Sequence, residues 1–254
     1  MASKTTAGTT TAADLLQTLR AEADPRMRAN MGPRFGITGP TADTAFGMSV
    51  GRIRAIAKQA RGRGKTAEDA ARNHALAAEL SKTGQYEALF LASFVAEPSL
   101  LTAREMDRLV KDFDNWAVCD TFCFCLFDRA DVELVLGRVS AWAARKEEFV
   151  RRAAFALLAS AVLHRKDVPD ERFIALLPLI ERYADDERNF VKKGVSWALR
   201  AMKRRKPAAR AAAVAVAKRL SEAESPHARW VGRDALRDLT QGTVKKTLKK
   251  KTKA

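Results

Sequence analysis

Three ten-residue stretches of this chain repeat one another at nearly constant intervals. FVRRAAFALL (149–158) is followed 41 residues later by FVKKGVSWAL (190–199), and 40 residues after that by WVGRDALRDL (230–239). FDNWAVCDTF (113–122) precedes them by 36. An aromatic opens each copy: Phe113, Phe149, Phe190 and Trp230. Five residues on stand Val118, Ala154, Val195 and Ala235, and nine on stand Phe122, Leu158, Leu199 and Leu239. A helix pair repeated at this interval cannot bury its apolar face alone, so successive copies must stack. The chain is therefore expected to be all-α, an α-solenoid of stacked helix pairs.

The rest of the sequence agrees with that class. Alanine, leucine, arginine and glutamate dominate, and no run of alternating β-branched residues suggests a strand. Helix breaks are expected at Pro33–Pro40, Gly62–Gly64, Gly84, Pro98, Pro169, Pro207 and Pro226. The segment FGITGPTADTAFGM (35–48) reads as one long irregular loop. Residues 1–12 read as a disordered N-terminus, 13–240 as the repeat domain, and 241–254 as a flexible lysine-rich tail.

Charge narrows the partner. The net charge is +16; taking away the six lysines of the tail leaves +10 on the remainder. A basic surface of this size attracts polyanions, nucleic acid first among them. No stretch approaches the ~18 apolar residues of a membrane span, and the N-terminus lacks the apolar run of a signal peptide. A monomer in a reducing cytoplasm, associated with the nucleoid, is expected. Cys119, Cys123 and Cys125 lack the CxxC spacing of a zinc site, and His74, His164 and His227 are scattered, so buried, inert thiols are expected and no metal. No phosphate loop, GxSxG or HExxH is present, and no cofactor is expected.

The repeat register also assigns faces. Three residues after each opening aromatic stand Trp116, Arg152, Lys193 and Arg233, opposite the apolar stripe; one turn further on stand Asp120, Ala156, Trp197 and Arg237. These columns are expected to line the concave, basic surface of the stack. Trp116 and Trp197 thereby become candidate contact residues, while Trp142 and Trp230 are assigned to the core. Asp120 has two readings. It is a local ion pair with Arg151, Arg152 or another cation, or a carboxylate that stabilises positive charge developing on a sugar as its leaving group departs.

WAVCD, FVRRAAFALL and FVKKGVSWALR, together with FGMSVGRIRAIAK at 46–58, resemble the AlkD-type DNA alkylation repair proteins, HEAT-like-repeat DNA glycosylases, over residues 13–240. The resemblance implies excision of positively charged N3- and N7-alkylated purines from double-stranded DNA, without extruding the base. It makes Asp120 the catalytic carboxylate and places Trp116, Arg152 and Trp197 against the DNA around the lesion. Arg151, Lys193, Arg200 and Arg233 are further phosphate-binding candidates. Asn115 stands where relatives often carry a second aromatic, and the 35–48 segment is longer than theirs. A noncatalytic binder of damaged or branched DNA is the alternative, and a protein-interaction scaffold a third.

Overall fold

The computed structural model describes residues 10–61 and 66–241. Residues 1–9, the Gly62–Gly64 break and the lysine-rich segment from residue 242 lie outside them; of the stretch 1–12 expected to be disordered, Thr11 and Ala12 are described and open the first helix. All regular structure among the described residues is helical. Contacts divide the chain into two units, up to Leu100 and from Leu101 onward.

The first unit comprises α1 (Ala12–Ala21), α2 (Pro25–Phe35), α3 (Pro40–Asp43), α4 (Val50–Ala60), α5 (Ala67–Lys82) and α6 (Tyr86–Val95). Starts are set by short polar side chains that accept the unpaired N–H groups of the first turn: Thr11, Asp24, Ser49, Thr66 and Gln85. The almost wholly apolar α6 (YEALFLASFV) is the unit's centre, with α1, α3, α4 and α5 all packed against it.

Two expectations are corrected here. Pro33 does not break a helix; it lies inside α2, which runs on to Phe35 and ends at Gly36 in the left-handed conformation (φ 61°). The preceding Gly32 has no Cβ to clash with the proline ring. Nor is the 35–48 segment a free loop. It contains α3, and its last residues are fastened by Glu87, a fully buried carboxylate on α6. The N–H groups of Phe46, Gly47 and Met48 all donate to Glu87, at 2.8–3.2 Å. Gly47 is required there: φ is 88°, and a Cβ would stand 2.2 Å from the Asp24 carbonyl oxygen. Glu87→Gln puts an amide N–H₂ among these donors and is expected to destabilise the protein by about 1–3 kcal/mol. Thermal unfolding reads this as a lowered Tm.

The second unit comprises α7 (Ala103–Lys111), α8 (Trp116–Cys125), α9 (Val132–Ala143), α10 (Glu148–His164), α11 (Asp170–Ile174), α12 (Leu177–Tyr183), α13 (Asn189–Ala201), α14 (Pro207–Ser221) and α15 (Pro226–Thr240). One row is formed by α8, α10, α13 and α15, neighbours in turn. Behind it α9 packs on α10, α12 on α13 and α14 on α15. This is the stacked helix-pair architecture that the repeats imply. The two apolar columns are its core: Val118, Ala154, Val195 and Ala235, and Phe122, Leu158, Leu199 and Leu239, are all buried. Proline begins α14 and α15 at the position where a missing N–H costs nothing.

Polar side chains tie successive pairs together. Trp142 Nε1 donates to Asp107 (2.7 Å), Arg151 pairs with Asp186 (2.7 Å), Arg205 with Asp170 (2.6 Å), and Ser196 donates to Asp234 (2.6 Å). These partners are 35–38 residues apart, one repeat.

Candidate nucleic-acid interface

The centre of the site is the first half of α8. Asn115 caps the helix: its side-chain oxygen accepts from the N–H groups of Ala117 and Val118, and its amide donates to Asp114. The residue that departs from the relatives' aromatic is therefore a buried capping residue. Trp116, Asp120 and Phe124 follow at four-residue spacing and share one face, each half-buried.

Asp120 is held by Arg152 of α10 in a two-pronged ion pair, Nε to Oδ1 at 2.9 Å and Nη2 to Oδ2 at 2.7 Å. The third tie of that guanidinium is Nη1 to the Phe190 carbonyl, at 2.7 Å. The side chains are 7% (Arg152) and 17% (Asp120) exposed. Burial pushes the Asp120 carboxyl above the usual carboxylate range, with Arg152 pulling it back. For Arg152, burial opposes the charge, but the Asp120 carboxylate outweighs it and holds the guanidinium above its ordinary value. We take the pair as ionised, because a two-pronged bond of this geometry needs a carboxylate.

Of the two readings of Asp120, the ion pair is thus present, and it recasts Arg152. The repeat register assigns Arg152 to an exposed face, yet it is buried, as is Ala156 one turn later. The reason is the position of α10 between α8 and α13, which cover both its flanks. Three of the five Arg152 N–H groups are committed within the protein, so it serves first to fix Asp120.

Trp197 of α13 stacks on Phe124, with centroids 4.6 Å apart and planes within 6°. Phe124 is the residue that the sequence reading missed. Its signal was there, two turns beyond Trp116 on the same face as Asp120. Trp197 also borders a cleft of about 480 Å³ lined by Arg200, Lys203, Arg204 and Arg210 and by one acid, Asp238, which is paired with Lys203.

The remaining candidates divide. Lys193 and Arg233 are exposed and, among the described residues, form no ion pair. Arg200 lies 3.5 Å from Asp234. Arg151 is turned away from this face; it binds Asp186 and the Ala143 carbonyl and lies over the Tyr183 ring. Trp142 is core, but the core assignment of Trp230 is overturned: it is 38% exposed. It sits on α15, which among the described residues is the last helix of the row and is packed by α13 and α14. Cys119 and Cys123 are buried, with their S–H groups directed at the carbonyls of Phe149 and Ala153; Cys125 is half-buried. Burial pushes the Cys123 thiol up, away from reactivity. No described helix is long and apolar enough to cross a membrane.

The architecture is that of HEAT-like helical repeat proteins. A solved structure described as "a new family of proteins related to the HEAT-like repeat DNA glycosylases with affinity for branched DNA structures" superposes with a TM-score of 0.67. It is 19% identical, over 82% of this chain and 83% of that one. The sequence pattern of the DNA alkylation repair enzymes matches residues 15–239, and the chain belongs to that family. This places it in DNA repair. No curated protein sequence matches it.

Proposed function

We propose that the protein is a DNA glycosylase that removes positively charged N3- and N7-alkylated purines from duplex DNA. The observation that carries this is the Asp120 carboxylate, fixed by Arg152 on the face between Trp116 and the Phe124–Trp197 stack. An alkylated purine is already a cationic leaving group. When the C1′–N bond breaks, its electron pair neutralises the base and the positive charge passes to the sugar. A carboxylate oriented beforehand stabilises that charge as it develops. Water, oriented by Asp120, then adds at C1′ and releases its proton to the surrounding solvent. Indole faces attract positive or polarised C–H groups, each worth about 0.5–2 kcal/mol. An open row of helices accepts the duplex without a pocket for an extruded base. Lys193, Arg200 and Arg233 are assigned to phosphates, and their contacts make affinity fall steeply with salt.

Release of free 7-methylguanine and 3-methyladenine from methylated duplex DNA tests the proposal. No release from DNA that the protein demonstrably binds would refute it. The pH profile is a finer check. Catalysis needs ionised Asp120, whose carboxyl is raised chiefly by burial. Activity should therefore be lost as pH falls through that raised value, at a higher pH than an ordinary carboxylate near 3.9 would set. An acid limb at or below the ordinary value would contradict the assignment.

One observation favours a second reading, a noncatalytic binder of damaged or branched DNA. Arg152 neutralises the very charge that Asp120 would use. The same experiment separates the two readings, since a binder retains the DNA without releasing a base.

A further inference from the structure

We infer that the exposed face of α15 around Trp230 is a second nucleic-acid site, which takes an unpaired nucleotide from a single-stranded segment. A tryptophan left 38% exposed is unusual, and this one is surrounded by positive charge. The Lys192 ammonium lies 5.1 Å from the ring centroid and covers one face of the indole. Trp230 also lines a cleft of about 390 Å³ with Pro226, Arg229, Arg233, Asp234 and Arg237. These residues recur at the three- and four-residue spacing of a single helix face. Arg229, Arg233 and Arg237 lie about 6 Å apart along it, from the rise of an α-helix.

The chemistry selects the ligand. Asp234 is the one acid of the cleft, and it is engaged by Arg237 at 2.6 Å and by the Ser196 hydroxyl at 2.6 Å. Arg229 spends N–H groups on the Ala223 and Glu224 carbonyls, whereas Arg233 has no ion-pair partner among the described residues. A phosphodiester complements this row of cations, and an indole beside it offers a stacking surface. A base inside a duplex has both faces occupied, so the ligand must present an unpaired base. Stacking on an aromatic side chain combined with a cationic track for the backbone is how single strands are held. A second copy of this chain, at net +16, and the lysine-rich segment from residue 242 are both repelled by such a face.

The site extends the proposed DNA-binding role and rests on that reading, but not on catalysis. Arg152 on α10 and Trp230 on α15 are separated by two helix spacings, roughly 16–20 Å. That is about five base steps of a duplex. DNA engaged at Asp120 can therefore reach Trp230 where its strands separate or end.

Fluorescence anisotropy would compare a blunt duplex with the same duplex carrying a single-stranded thymidine overhang. The wild type should bind the overhang form about 10-fold more tightly. Trp230→Ala should reduce that preference to below about 2-fold, leave blunt-duplex affinity unchanged and leave the Tm within a few degrees. Trp230→Phe should restore part of the preference. A 2-aminopurine placed in the overhang should be quenched by the wild type and not by Trp230→Ala. The inference is overturned if the wild type has no preference, if Trp230→Ala weakens both substrates equally, if 2-aminopurine is not quenched, or if the variant instead abolishes self-association. Asp120→Asn should keep the preference. Overhang binding without base release would thus end the glycosylase proposal and leave this one standing.

Discussion

Methylated duplex DNA incubated with Asp120→Asn is expected to release 7-methylguanine and 3-methyladenine about 10²–10³-fold more slowly than with the wild type. The figure follows the loss of one preorganised electrostatic partner of a transition state. The substitution is nearly isosteric, so Trp116, Phe124 and Trp197 keep their places. What changes is charge: an amide oxygen can still accept one bond from Arg152, but its N–H₂ then faces the other prong. The guanidinium, at 7% exposure, becomes uncompensated and turns a neutral pair into a buried cation beside the sugar. That cation, no longer offset by the carboxylate, opposes the oxocarbenium-like charge. DNA binding should persist, because the exposed cations Lys193 and Arg233 are untouched. Equal release by both proteins would remove Asp120 from the mechanism.

Arg152→Ala should have the largest effect on stability, a loss of about 3–5 kcal/mol, because it strands a largely buried carboxylate. It also deletes the bond to the Phe190 carbonyl. Combining it with Asp120→Asn should recover part of the loss, and a double-mutant cycle measures the coupling. An Arg152 that acted mainly as a phosphate clamp would behave differently. Its removal would leave stability within about 0.5 kcal/mol and lower the slope of log affinity against log salt by about 0.9. Denaturant unfolding and salt titration of the same protein decide between the two outcomes.

The parts of the fold that were legible in the sequence are those fixed by local periodicity. The Val118, Ala154, Val195, Ala235 column and its partner nine residues after each opening aromatic are buried because a helix carries its apolar stripe wherever it goes. Positions whose burial depends on the neighbours were not legible. Arg152 and Ala156 have the phase of a solvent face, and only the flanking helices α8 and α13 close over them. Trp230 has the phase of a core residue, yet among the described residues no helix lies beyond α15 to cover it, and it is exposed. Within the site, the four-residue spacing of Trp116 and Asp120 was visible. The stack of Phe124 on Trp197 joins residues 73 positions apart and needed coordinates. Glu87 shows the same limit, since nothing near it in sequence announces three backbone donors from residues 46–48.

The bonds that join one helix pair to the next in the second unit connect residues only some 30–43 positions apart. Each becomes available as soon as one more repeat has been synthesised, without waiting for a distant end of the chain. Such short-range closure favours rapid, sequential zippering during translation. A defect in a middle repeat would then stall everything downstream of it while leaving the earlier pairs assembled.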